Sequence, residues 1–168
     1  EISACLVGSE MCIRDRNQNV RQVYEVYIRT TPEKLWQALT DSEMTKQYFF
    51  GTAVETSWKP GTPFNRVRNG SHILEGEVVE VDPPRQLVHT FIFNEPNPAD
   101  QDPPSRVTWN IEQMGEECKL TVTHEHYNGE SETYKGTLTG WNSILSSLKT
   151  LLETGGPLKI ALPDEANV

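Results

Sequence analysis

Two histidines carry the clearest potential for proton chemistry in this chain. In the run 85–93, Leu87, His89, Phe91 and Phe93 share one face of a strand, and in 117–125 Leu120, Val122 and His124 do the same, because side chains alternate across a strand with period two. If both faces turn inward, two imidazoles enter one apolar chamber. There, a group that titrates near neutral pH could serve as a polar anchor or as half of a general acid/base pair. The commoner fate of such a histidine is a hydrogen-bonded place in the core. His124-Glu125-His126 would put two ring nitrogens on one side of a strand, but no third ligand is visible, so no metal is expected. Glu75 and Glu77 share a strand face and could supply a carboxylate, although acids on the wet face of a sheet are the commoner case. Trp58, Trp109 and Trp141 offer flat apolar surface with an indole N–H, suited to gripping a ring. Arg66 and Arg106 could hold a ligand carboxylate, against the commoner reading of exposed strand cations. The sequence shows no serine in a nucleophile elbow, no glycine-rich phosphate loop and no acidic metal cluster. Covalent catalysis and nucleotide hydrolysis therefore lack support, and no cofactor is expected.

Such side chains need elements to position them. Residues 20–29 alternate, with Tyr24, Val26 and Ile28 on one face, which predicts a half-buried first strand. Thr31-Pro32-Glu33 then supplies a capping hydroxyl, a proline at the first helical position and an early acid, and Leu35, Trp36 and Leu39 follow at helical spacing. Asp41 can cap a second short helix through Met44, Tyr48 and Phe49, with Gly51 as its stop. Six β-prone runs come next, at 52–58, 62–68, 72–81, 85–93, 105–113 and 117–125, broken at Pro60-Gly61, Asn69-Gly70, Asp82-Pro83-Pro84 and Gly115. They predict an antiparallel meander, interrupted by a proline-rich surface loop over 94–104 that could gate a site.

From about 131 to 154, Leu138, Trp141, Leu145, Leu148 and Leu152 form a stripe at spacings of three and four, joined by Ile144 and Leu151. This predicts a long amphipathic helix, stopped by Gly155-Gly156-Pro157. Gly136 and Gly140 each weaken its start by about 1 kcal/mol relative to alanine. The helix therefore begins late, or those glycines permit close approach to a neighbour.

The order is α+β, and the long helix must bury its stripe against the concave face of the sheet. A curved antiparallel sheet wrapped around a C-terminal helix, with two short helices after the first strand, leaves space between helix and strands. That space is the candidate ligand site, and its expected lining is Phe49, Trp58, His89, Phe91, Trp109, His124, Trp141 and Leu145.

A length of 168 residues suits one domain. A net charge of −9 without a basic stripe argues against a nucleic-acid partner. No run reaches the roughly 18 apolar residues of a membrane span, and no secretory signal is visible, so a cytoplasmic location is expected. Cys5, Cys12 and Cys118 form neither a CxxC pair nor a zinc pattern. Residues 1–16, EISACLVGSEMCIRDR, hold no sustained periodicity and are similar to a translated sequencing adaptor. They are expected to be foreign to the fold, with one domain over 17–157 and a flexible tail over 158–168.

VYEVYIRTTPEKLWQALTDSE, GEVVEVDPPRQLVHTFIF and GWNSILSSLKTLLETGG closely resemble, in order and spacing, the START-like or SRPBCC superfamily. In particular they resemble the branch named after the activator of heat-shock protein 90 ATPase. The resemblance spans about Val20 to Pro157. It implies a helix-grip fold with a hydrophobic cavity for lipids, polyketides or other small organics, in members that range from binders to cyclases and hydrolases. It brings no catalytic motif. The leading expectation is a binder of a small hydrophobic molecule, as monomer or homodimer. An enzyme using His89 or His124 in the same cavity comes second. A regulator of the chaperone ATPase comes last, since eukaryotic co-chaperones of that type resemble this chain in only one of their two domains.

Overall fold

The computed structural model describes residues 20–94 and 100–160. The leader 1–16 with Cys5 and Cys12, part of the proline-rich loop and most of the expected tail lie outside the described residues.

Strand β1 (Gln22–Ile28) leads into helices α1 (Pro32–Thr40) and α2 (Ser42–Tyr48). The Thr31 hydroxyl caps α1 by accepting from the Lys34 amide at 3.3 Å. Asp41 serves both helices: its amide donates to Gln37 O at 2.9 Å, closing α1, and its carboxylate accepts from the Met44 amide at 2.9 Å, opening α2. The expected glycine stop arrives one residue early. Phe50 (φ 49°) already enters the left-handed region ahead of Gly51 (φ 70°), a conformation that is uncommon for a bulky side chain. Beside it, the Phe49 ring stands edge-on to Trp141, with ring centroids 6.0 Å apart.

Seven strands follow, one more than the six predicted between 52 and 125. They are β2 (Ala53–Thr56), β3 (Phe64–Arg68), β4 (Ser71–Glu75), β5 (Val78–Asp82), β6 (Gln86–Phe93), β7 (Ser105–Met114) and β8 (Glu117–Glu125). The sheet runs β1-β8-β7-β6-β4-β3-β2, with β5 also paired to β6, and these pairings are antiparallel. The extra strand arises at Gly76, which splits the expected 72–81 run. A Cβ at this position would lie 2.1 Å from the Thr90 carbonyl oxygen, so the backbone presses on β6 as only glycine allows. The Asn69-Gly70 turn joins β3 to β4 with both residues at positive φ (52° and 79°), the type I′ geometry that suits strand twist.

Helix α3 (Glu132–Thr154) starts at the Ser131 cap and ends at Gly155, which is left-handed at φ 85°. Asp102 adds a second cap, accepting from the Thr133 amide at 2.9 Å. The predicted stripe holds at Trp141, Leu145 and Leu148 and fails at Leu138, which is exposed. Thr133 and Thr137 are the buried residues of the first turns instead. Thr137 meets the buried Tyr127 hydroxyl at 2.9 Å, and the Tyr127 ring packs edge-on against Tyr134 of the same stretch. Farther along, Trp141 meets Phe91 of β6, Trp109 of β7 and His124 of β8. On the edge strand, Gln22 and Tyr24 donate to the α3 carbonyls of Tyr134 and Leu138 at 2.8 and 3.1 Å. The helix is thus gripped by the β1-β8-β7-β6 half of the sheet, an α+β helix-grip arrangement. No helix among the described residues is long and apolar enough to cross a membrane.

Candidate functional site

A cavity of about 420 Å³ lies between α3 and the β6-β4-β3 part of the sheet. One wall is Arg66 and Arg68 of β3, Ile73 and Leu74 of β4, and Phe91 and Phe93 of β6. The opposite wall is the α3 face carrying Gly136, Thr137, Gly140, Trp141 and Ile144, and Phe49, Phe50 and Thr52 complete it from the turn after α2. A surface depression of about 530 Å³ near Lys149 and Glu153 is larger, but these two side chains form an ion pair there at 2.8 Å. The apolar chamber has the character of a ligand site: a mostly apolar lining with few polar groups.

Gly136 and Gly140 explain the chamber's helix wall. A Cβ on either would approach only an aromatic Cε2, that of Phe93 at 3.9 Å or that of Phe50 at 4.0 Å. The two glycines therefore leave volume in the cavity rather than admit a close backbone contact. Their spacing of one helical turn puts both on one face.

Both histidines are buried and fully engaged. His89 Nδ1 lies 2.8 Å from the Thr90 carbonyl and must donate to it, while Nε2 accepts from the Trp109 indole N–H at 3.1 Å. Phe64 stacks on its ring at 3.9 Å between centroids. His124 Nδ1 accepts from the Trp141 indole at 3.1 Å, so Nε2 carries the proton and donates to Ser105 Oγ at 2.7 Å. That hydroxyl donates in turn to the Phe91 carbonyl at 3.1 Å. Burial above all drives both imidazoles down to a pKa of about 3; proximity of the two rings lowers His124 further, and the Arg66 charge does the same to His89. Neutral imidazole is the state these bonds require. His126 leaves β8 at φ 62° and is exposed, so it does not share a side with His124. Among the described residues no three His, Cys, Asp or Glu side chains cluster as metal ligands would.

Of the eight residues anticipated as lining, Phe49, Phe91 and Trp141 stand at the cavity wall. His89, Trp109, His124 and Leu145 are buried in the core behind or beside it. Trp58, also at positive φ (57°), packs edge-on against Phe64. Sequence reasoning missed Phe50, Leu74 and Phe93 as wall residues. It noticed the glycine pair without seeing that its spacing could open space.

Arg66 departs furthest from the exposed strand cation that is the rule. Only 2% of it is accessible, and its guanidinium carbon sits 3.5 Å above the centre of the Phe49 ring. Its Nε and Nη1 have no hydrogen-bond partner. Desolvation lowers its pKa to about 10, partly opposed by the Tyr48 phenol, so it stays charged near neutral pH. Arg106 is half-buried on β7.

The family described as Activator of Hsp90 ATPase homolog 1-like protein matches residues 29–153. The chain belongs to this family. Solved structures agree on the fold. Protein MLL2253 from Mesorhizobium loti is 25% identical, with a TM-score of 0.69 over 79% of this chain and 96% of that one. The Aha1 dimer from Colwellia psychrerythraea is 20% identical, with a TM-score of 0.67 over 81% and 98%. PFC0360w, an HSP90 activator from Plasmodium falciparum, is 23% identical, with a TM-score of 0.64 over 79% and 95%. No curated protein matches the chain in sequence. For this family member, the helix-grip fold implied by its sequence is the fold observed.

Proposed function

We propose that this protein binds a small, largely apolar molecule in the chamber between α3 and the sheet, with residues 17–157 as the folding unit. The supporting observation is the glycine-faced helix wall opposite Leu74, Phe91 and Phe93, since two glycines in mid-helix are a cost that empty volume offsets only if something fills it. Burying about 300 Å² of ligand apolar surface would contribute roughly 7 kcal/mol before the entropy of association is subtracted. An environment-sensitive hydrophobic dye should bind saturably, and Gly140→Leu, which fills the chamber, should abolish the signal while the far-UV spectrum stays unchanged. Equal dye binding by both proteins would place the dye elsewhere and remove the basis for the reading.

A second reading is regulation of the heat-shock protein 90 ATPase, favoured by the family's description and by the Plasmodium activator of similar fold. Stimulation of a purified chaperone's ATPase by this protein tests it. The same overall reading has the protein acting in the cytoplasm, as monomer or homodimer; the fold shared with the Colwellia dimer supports the homodimer.

A further inference from the structure

We propose that the molecule held in the chamber carries a carboxylate, and that Arg66 is the residue that receives it. This rests on the apolar-ligand reading above and specifies its head group.

The register of the sheet makes the case. Arg66 pairs across β3 with Val54 of β2 and Leu74 of β4, and Leu74 pairs with Phe93 of β6. An arginine thus occupies one place in a row that is otherwise Val, Leu and Phe, and Arg66, Leu74 and Phe93 of that row line the chamber. Long basic side chains at such positions usually run their stems along apolar surface and return the charge to water. Arg66 does not, since it is 2% accessible and stacks on Phe49 inside the fold. No ion pair to it is found among the described residues, and the groups that share its field are a phenol and an imidazole, Tyr48 and His89. Buried charges in proteins are paired or hydrogen-bonded, because leaving one without a counter-charge is strongly unfavourable. The missing partner is therefore an anion, and the wall on which Arg66 lies is the chamber's own.

The other cation of the wall, Arg68, already donates to the Phe50 carbonyl at 3.3 Å. Arg66 brings one buried positive charge to an apolar space, which a monoanion on an apolar body matches. A carboxylate meets this and matches guanidinium geometry. A dianionic phosphate ester would bring a second negative charge into the same apolar space, at a greater desolvation cost.

Calorimetric titration with decanoate, decanol and decyl phosphate separates the possibilities, using the full chain and its Arg66→Met variant. Decanoate should bind the native protein at least about tenfold more tightly than decanol, and Arg66→Met should erase that preference while keeping decanol affinity. The ligand-free variant should melt at the same temperature as the native protein or higher, because an unpaired buried charge has been replaced by an apolar side chain of similar length. Decanol binding as well as decanoate would overturn the carboxylate assignment and leave the apolar-ligand reading standing. Tighter binding of decyl phosphate would overturn the assignment too. An Arg66→Met protein that melts well below the native one would make Arg66 a fold residue and also defeat the proposal. If none of the three probes binds and the dye is not retained, the chamber itself holds no ligand and both readings fall.

Discussion

At the scale of single residues, the two Trp–His pairs tie protonation to stability. Each imidazole accepts an indole N–H and donates to an oxygen, so a second ring proton would have no acceptor and would break one bond. The folded-state pKa of about 3 for His89 and His124 lies below the ordinary value of 6.5. Below that ordinary value the unfolded chain takes up protons that the folded chain refuses. Stability is therefore fully present above about pH 6.5 and declines as pH falls toward 3, by up to about 1.4 kcal/mol per pH unit for each histidine. Guanidinium denaturation near pH 7 and near pH 5 should show this fall, and His89→Gln should reduce it; equal midpoints at both pH values would contradict it. The inward direction of these rings was legible, because Leu87, His89 and Phe91 alternate within one long strand. The burial of Arg66 was not. In the five-residue strand FNRVR one face carries Phe64, Arg66 and Arg68 and the other Asn65 and Val67, a pattern from which hydrophobicity cannot tell inside from outside.

At the scale of elements, α3 and the β4–β5 break show glycine used in opposite ways. Gly136 and Gly140 border empty space, so Gly136→Ala should stabilise the protein by roughly 0.5–1 kcal/mol through helix propensity and narrow the chamber slightly; a lower thermal midpoint would mean that the space is not free. Gly76 borders the Thr90 carbonyl. Gly76→Ala should cost about 1–3 kcal/mol, because backbone must move to admit the methyl group; an unchanged melting temperature would show that the strands there are not in close contact. The helix was readable from its apolar period at Trp141, Leu145 and Leu148, as were the caps at Thr31 and Asp41 from their types. The split of 72–81 was hidden, since a single glycine in a β-prone run marks a weak strand and a bent one equally.

At the scale of the molecule, the helix is held unevenly. Its later turns bury Leu145, Leu148 and Leu151, while its early turns face the chamber. Amides near Gly136 and Gly140 should exchange hydrogen faster than those of 145–151, and saturation with a chamber ligand should slow the early set selectively. Uniform protection along α3, with or without ligand, would contradict this. The architecture followed from element order, whereas the chamber's position depended on which half of the sheet the helix grips, a matter of long-range packing that no local pattern encodes. Trp141 stands where these halves divide, with one edge of its indole bonded to His124 and its ring at the cavity wall. Indole emission responds to local polarity and to the charge of a bonded neighbour. The protein accordingly holds a built-in optical gauge, and a shift in its native fluorescence can report the filling of the chamber without any added label.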